Sequence, residues 1–328
     1  MLAPSRGSRI VPHVEIRKPG WLTTVQDAGR WGHQARGVST SGPMDWASHR
    51  LANWLVRNPA AAATLEVTLG GLELAFEGDT QFAIAGGEFQ LELSGGSVGM
   101  HRTVRAATGS VLKLGARVRG ARAYVAFAGG VLVPSVLGSR ATHTASHLGG
   151  FEGRALRTGD RLQVGSVPLV RDRVFRGSAH SVSDGGAQVR VIPGPHVELF
   201  PPRTLEVLQS SRYVLSPKSD RMGYRLEGPV LARTAHEELI SGATVTGALQ
   251  VPSSGSPILL MADRATTGGY PILAVVISAD LPLAGQLKPG DWIEFMGCTR
   301  DEAVAALKDL ERHLSPPETD NRPPTTNL

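Results

Sequence analysis

Leu65-Glu-Val-Thr-Leu-Gly-Gly-Leu-Glu-Leu-Ala-Phe76 alternates apolar and polar residues on both sides of a glycine pair. Leu65, Val67 and Leu69 alternate with Glu66 and Thr68, and Leu72, Leu74 and Phe76 follow with Glu73 and Glu77 between and after them. A period of two with the apolar residues on one face is the signature of a half-buried strand. Gly70-Gly71 supplies the backbone freedom of a tight turn. The stretch therefore predicts strand, turn, strand. Phe82 with Ile84, then Phe89, Leu91 and Leu93, repeat the period between further glycine-rich segments.

Helices are few in this pattern. Pro43 opens one, Ala47, Leu51, Trp54 and Leu55 give it a three-to-four spacing, and Asn58-Pro59 closes it. A second is marked by Thr299 and Glu302 as a capping box, with Val304, Leu307, Leu310 and Leu314 on one face. The chain also says one thing twice. Tyr124–Phe127 leads to Leu156-Arg-Thr-Gly-Asp-Arg-Leu162, and Ile272–Ile277 leads to Leu287-Lys-Pro-Gly-Asp-Trp-Ile293. Each is an apolar strand, an irregular segment and a Gly-Asp turn feeding a closing strand. The expected architecture is mainly β, with two β-barrel-like domains at residues 14–170 and 188–297 and a few short helices. The polar, Ser- and Gly-rich stretch Arg171–Gln188 reads as the linker between them. A C-terminal helix over 298–314 and a proline-rich, disordered tail over 315–328 complete the expectation.

Composition sets outer bounds. The chain has 328 residues, 41% hydrophobic and 19% charged, as in a soluble globular protein with a sizeable core. Its 39 Gly and 22 Pro argue against a helical bundle. No apolar run approaches the length of a membrane span, and no apolar stretch follows Arg6 and Arg9 as a secretory signal would require. The single cysteine, Cys298, cannot form an internal disulfide, so a reducing cytoplasm is expected. The net charge of +5 is no nucleic-acid footprint. The basic residues are nearly all arginine, are scattered among the acids, and lack the stacking aromatics that single strands need.

Familiar catalytic motifs are absent. None of the five lysines follows a glycine, so there is no phosphate loop of the Gly-Lys type, and none lies between methionines as in a biotin carrier. Gly95-Gly-Ser-Val-Gly99 matches a nucleophile elbow formally but joins two alternating strands, and reads as a turn. His143-Thr-Ala-Ser-His147 has the spacing of a metal pair but lies among glycines without the intervening glutamate; His236-Glu-Glu238 is no stronger. No metal site is expected.

Three loops carry more chemistry than a scaffold needs. Asp220-Arg-Met-Gly-Tyr-Arg-Leu-Glu-Gly-Pro229 sets two guanidinium groups and a phenol around a glycine turn. Gln250-Val-Pro-Ser-Ser-Gly255 presents an amide and hydroxyls. Ala262-Asp-Arg-Ala-Thr-Thr-Gly-Gly-Tyr-Pro271 gathers an acid, a base, hydroxyls and a phenol on a Gly-Gly bend. Such loops offer donors to an oxyanion or carboxylate, since arginine gives a bidentate fork and Gly-Gly admits close backbone N–H groups. The plainer alternative is that Asp263 and Arg264 pair with each other and the threonines bond the turn.

These motifs, together with Thr23-Thr-Val-Gln-Asp-Ala-Gly-Arg30, Ser41-Gly-Pro-Met-Asp45 and Leu65–Gly71, closely resemble the allophanate hydrolase subunit 2 family. That family includes the KipA proteins and the C-subunit of 5-oxoprolinase, and is similar to the carboxyltransferase region of urea carboxylase. The resemblance runs from about Val14 to Phe295, with Trp31 where proline is common and Ala265 where glutamine is common. It implies cyclophilin-like β-barrel domains and a subunit of an ATP-dependent 5-oxoprolinase, opening a five-membered lactam to glutamate and inactive alone. The partners it implies are a KipI-like (allophanate hydrolase subunit 1-like) protein and a third, LamB/YcsF-type subunit, with ATP bound through the complex. Its alternatives are a biotin-dependent carboxyltransferase component acting on urea or a similar amide, and a non-enzymatic regulator that binds a KipI-like kinase inhibitor.

By the same resemblance the expected catalytic residues are Arg264 and Arg221 as anion contacts, Asp263 fixing Arg264, and Tyr270 orienting the substrate. Gln250, Thr266, Thr267, Gly268, Gly269 and Tyr224 are expected at the substrate. Gln26, Asp27 and Asp45 join them from the N-terminal side, although Gly-Pro-Met-Asp45 also suits a helix start.

Overall fold

The computed structural model describes residues 11–168, 171–181, 185–234 and 239–314. The tail at 315–328 and the His236-Glu-Glu238 triplet lie outside the described residues. Two β assemblies account for the expected mainly-β character.

The first is a strongly curled sheet. It contains β1 (His13–Pro19), β2 (Leu22–Gln26), β3 (Thr64–Thr68), β4 (Leu72–Phe76), β5 (Thr80–Leu93), β6 (Gly96–Ser97), β7 (Thr103–Ala106), β8 (Val111–Phe127) and β9 (Arg161–Gln163). The spine is β8. Along one edge it carries β5, and along the other it carries β3 and β4 in succession. The second assembly uses β10 (Gly186–Pro193), β11 (Arg212–Leu215), β12 (Gly223–Glu227), β13 (Gly242–Ala243), β14 (Ala248–Gln250), β15 (Ile258–Leu260), β16 (Thr267–Gly268), β17 (Ile272–Val276) and β18 (Trp292–Gly297). All but β13 and β16 close into a barrel in the order β10-β17-β14-β15-β12-β11-β18. The parallel pairing of β10 with β18 seals it. β13 and β16 form a separate two-stranded ribbon.

The Leu65–Phe76 stretch is two strands but not a hairpin. Leu65–Thr68 pairs with Val125–Arg122, and Glu73–Ala75 pairs with Lys113–Val111, so both strands run the same way along β8. Gly70 and Gly71, each with φ 81°, carry the chain past a bulge in β8. A Cβ on Gly70 would sit 2.6 Å from the carbonyl oxygen of Gly115. Alternation also misleads at Glu66. Every residue of β3 is buried, because β2 and β8 flank it while the C-terminal half covers its outer face.

The helices are α1 (Trp46–Leu55), α2 (Pro202–Ser210), α3 (Leu281–Gly285) and α4 (Arg300–Leu314). Asp45, not Pro43, caps α1, its carboxylate accepting from Ser48 N at 2.9 Å. The α4 capping box forms as read: Thr299 N donates to Glu302 at 2.7 Å and Glu302 N to Thr299 Oγ1 at 3.2 Å. Val304 is 44% exposed, however, and Leu314 provides the buried anchor of α4. The stretch read as a linker is packed where it is described. Phe175 is buried edge-on against Trp54 and His313, and the His180 ring bonds Asp45.

Candidate functional site

The two β assemblies meet along a seam whose centre is Arg221. Its Nε and Nη2 donate to Asp263 at 2.9 and 3.2 Å, Nη2 also donates to the Gly42 carbonyl at 2.6 Å, and Nη1 donates to Glu66. Glu66 stands at the middle of β3 and is 1% exposed. It also accepts from Met44 N at 2.9 Å and from the Tyr124 hydroxyl at 2.8 Å. Burial opposes the charge on Arg221, but Asp263 and Glu66 outweigh it and hold the guanidinium's pKa above its ordinary value. Arg221 was expected to contact a developing anion. Two carboxylates and a carbonyl already occupy most of its N–H groups, so it serves as a cross-seam tie.

Asp263 is correspondingly turned toward Arg221 and does not fix Arg264 by a side-chain bond. Arg264, 3% exposed, donates from Nη1 to Thr40 Oγ1 at 3.1 Å and to Thr246 Oγ1 at 2.7 Å. Its Nε has no partner, and burial alone pushes its pKa down. The Nε2 of Gln250, a residue 6% exposed, also lacks a partner and lies against Gly268. Thr266 accepts from Thr244 N through its carbonyl, Thr267 and Gly268 pair with Ala243 and Gly242, and the Gly269 carbonyl accepts from Leu239 N. The β13–β16 ribbon thus carries Thr266 to Gly269 beside Gln250, with Tyr270 half-buried at its end. From the N-terminal half, Ser39 Oγ, Ser41 Oγ, Gln26 Oε1 and Arg30 Nη1 are buried without partners. Thr40 links them to the cluster, since its carbonyl accepts from Arg30 N at 2.6 Å.

Other expected residues prove structural. Tyr224 is 2% exposed in the barrel core, its hydroxyl accepting from Arg122 at 3.1 Å. Asp27 accepts from Gly29 N in its own loop and from Ser139 Oγ and Arg140 N, and so ties two distant segments together. Besides capping α1, Asp45 accepts from His180 Nε2 and from Gln286 Nε2, both at 2.7 Å. Gln26 is bound through Nε2 to Thr24 and to the Thr142 carbonyl, leaving only its oxygen free. Glu66, Arg122, Gln286 and His180 were missed, because each looks like an ordinary polar residue until the chain brings its distant partner. Gln286, for instance, receives Ala121 N and Arg122 N, both at 3.0 Å, from across the seam.

Two environments lie around the Arg221 tie. The Arg264 cluster meets the N-terminal half at Thr40, and a cleft of about 370 Å³ opens beside the Leu22/Thr68 end. Arg221 and Asp263 line that cleft; Arg264 and Gln250 do not. Among the described residues no cluster of three metal-ligating side chains occurs, and no helix is long and apolar enough to cross a membrane.

Residues 36–297 match the model of the carboxyltransferase domain, subdomain A and B. The chain is 40% identical to the C-subunit of 5-oxoprolinase from Escherichia coli K12, over 92% of this chain and 96% of that protein. It is 34% identical to urea amidolyase of Saccharomyces cerevisiae, over 91% of this chain but 17% of the longer protein. The crystal structure of the K. lactis urea amidolyase superposes with a TM-score of 0.86 at 30% identity, covering 94% of this chain and 20% of that one. The chain belongs to the carboxyltransferase domain, subdomain A and B, family.

Proposed function

We propose that this chain is a subunit of an ATP-dependent 5-oxoprolinase and that its Arg264 cluster activates the lactam carbonyl. The observation that carries the reading is the pair of buried, unpartnered donors, Arg264 Nε and Gln250 Nε2, beside a Gly-Gly ribbon. Buried donors without acceptors are costly, by about 1–3 kcal/mol each, and are kept where a ligand supplies the acceptor. A resonance-stabilised lactam resists attack, and attack on its carbonyl carbon builds negative charge on the oxygen. Donors preorganised in a water-poor site stabilise that charge without reorganising. Similarity to the C-subunit of 5-oxoprolinase along nearly its full length supports the substrate assignment.

Arg264 contacts the oxygen as charge builds, and Thr40 and Thr246 hold its other end. Gln250 supplies a second donor, while Tyr270 and Thr267 orient the substrate. ATP, bound through the complex, would pass its terminal phosphoryl group to the carbonyl oxygen, with ADP leaving. Water adding at the carbonyl carbon would then break the C–N bond to leave an acyl phosphate, and a second water would release phosphate. Arg264 and Gln250 are suited to the oxygens of such a phosphoryl group. No Gly-Lys loop occurs in the sequence to hold the nucleotide, so a KipI-like second subunit is part of the proposal, and a LamB/YcsF-type protein completes hydrolysis. Arg264→Ala in the assembled complex is expected to lower 5-oxoproline turnover by about a hundredfold, the scale of losing one oxyanion donor. Unchanged turnover per folded molecule would place Arg264 outside the site.

The likeness to urea amidolyase favours a second reading, carboxyl transfer from biotin to an amide nitrogen. Its biotin would arrive on another chain, since no lysine here sits in a carrier loop. Avidin sensitivity of the complex separates the two readings.

A further inference from the structure

The cleft on the far side of the Arg221 tie has its own unsatisfied chemistry. Arg122 lines it at 7% exposure. Its guanidinium bonds only neutral acceptors: the Tyr224 hydroxyl at 3.1 Å, the Leu287 carbonyl at 3.2 Å and the Gly285 carbonyl. Its Nε has no partner. Glu66 lies within its field but is engaged by Arg221. A buried guanidinium without a carboxylate of its own strongly favours an anion beside it.

His143 lines the same cleft at 8% exposure. Its Nδ1 meets Ser146 Oγ at 2.8 Å, which fixes the ring, and its Nε2 is buried without a partner. The remaining charged side chains at the cleft already have partners, although Asp220 keeps its negative charge. Asp263 pairs with Arg221 and Lys288 with Asp291, while the Asp220 carboxylate accepts from Met222 N and Gly223 N. On the rim stands Trp21, 80% exposed, with Leu69, Met222 and Pro289 completing an apolar wall. A concave, largely apolar space with a few convergent polar groups is the usual form of a small-molecule site.

We propose that this cleft is a separate oxyanion site, which takes a small molecule carrying one carboxylate or phosphate on a flat apolar body. The oxyanion accepts from the N–H groups at Arg122 Nε and His143 Nε2, and the flat body lies against the Trp21 indole. The site is independent of the carbonyl-activating cluster, which lies beyond the Glu66–Arg221–Asp263 tie.

Calorimetric titration of the isolated full chain tests this without any turnover assay. The probes are benzoate, phenyl phosphate and inorganic phosphate. Saturable binding of benzoate or of phenyl phosphate is expected, and whichever binds identifies the oxyanion. His143→Ala and Trp21→Ala should each weaken that binding by about tenfold, on the order of 1.4 kcal/mol, and Arg264→Ala should leave it unchanged. Trp21 is a rim residue, so its variant keeps the test sound even where His143→Ala loses stability. No saturable binding of either aromatic probe overturns the proposal, as does binding indifferent to both cleft variants. Inorganic phosphate binding as tightly as phenyl phosphate overturns the flat-body assignment, and loss of binding in Arg264→Ala overturns the separation of the two sites.

Discussion

Arg221 shows why residue type alone misplaces function. An arginine in a glycine-rich loop reads as an anion contact, yet here two carboxylates from opposite halves of the molecule hold it. Removing one partner of a buried ion pair leaves the others uncompensated and costs about 3–5 kcal/mol. Arg221→Met is therefore expected to lower unfolding stability by that amount in urea titrations, and a loss below about 1 kcal/mol would contradict the tie. Asp45 and His180 form a second buried pair, with a pH signature. Burial pushes the Asp45 carboxyl up, but His180 and the Ser48 bonds outweigh it and leave its pKa below the ordinary range. Burial pushes His180 down, but Asp45 outweighs it and leaves its pKa raised. The histidine's share of stability is full below the ordinary imidazole value and is lost as pH rises through its raised folded value. The aspartate's share is full above the ordinary carboxylate value and is lost as pH falls through its depressed folded value. The pair thus stabilises most between about pH 4 and 6.5. The urea-midpoint gap between wild type and His180→Gln should be wider at about pH 5.5 than at about pH 9; equal gaps would deny the ion pair.

At the scale of elements, what a local pattern encodes was legible and what a distant partner decides was not. The α4 capping box could be read because Thr299 and Glu302 satisfy each other within one turn. The strands at Leu65–Thr68 and Leu72–Phe76 could be read from period two, but not their pairing, because their partners on β8 lie 36 to 60 residues away along the chain. α3 is five residues long and shows no helical period at all. Of the candidate site, the donor loops around Gln250 and Arg264 were legible from composition. Glu66 was not, because a strand's polar position is solvent-facing only when nothing covers it. The two glycines after β3 are required by geometry. Gly70→Ala would place a methyl against the Gly115 carbonyl at a positive φ and should destabilise by more than about 1 kcal/mol. A neutral effect in thermal unfolding would contradict the path of the chain past the β8 bulge.

For the molecule as a whole, the seam both joins the halves and locates the chemistry. The Glu66–Arg221–Asp263 tie, the Gln286 bridge and Arg122 all cross it, so the halves are expected to unfold together. The Arg264 cluster draws on both sides, with Thr40 accepting from Arg264 on one and Thr246 accepting beside Gln250 on the other. On the proposed function this chain is one part of a larger catalyst, in keeping with its similarity to a protein named as a C-subunit. Its complex with a KipI-like subunit should bury more than about 1,200 Å², the lower end for stable association, and elute as one species on a sizing column. The most direct measurement is phosphate release from ATP by that complex reconstituted with the LamB/YcsF-type subunit, with and without 5-oxoproline. The proposal predicts release that depends on 5-oxoproline, is absent from either chain alone, and falls about a hundredfold with Arg264→Ala. Release from the assembled wild-type complex that is indifferent to 5-oxoproline would contradict it.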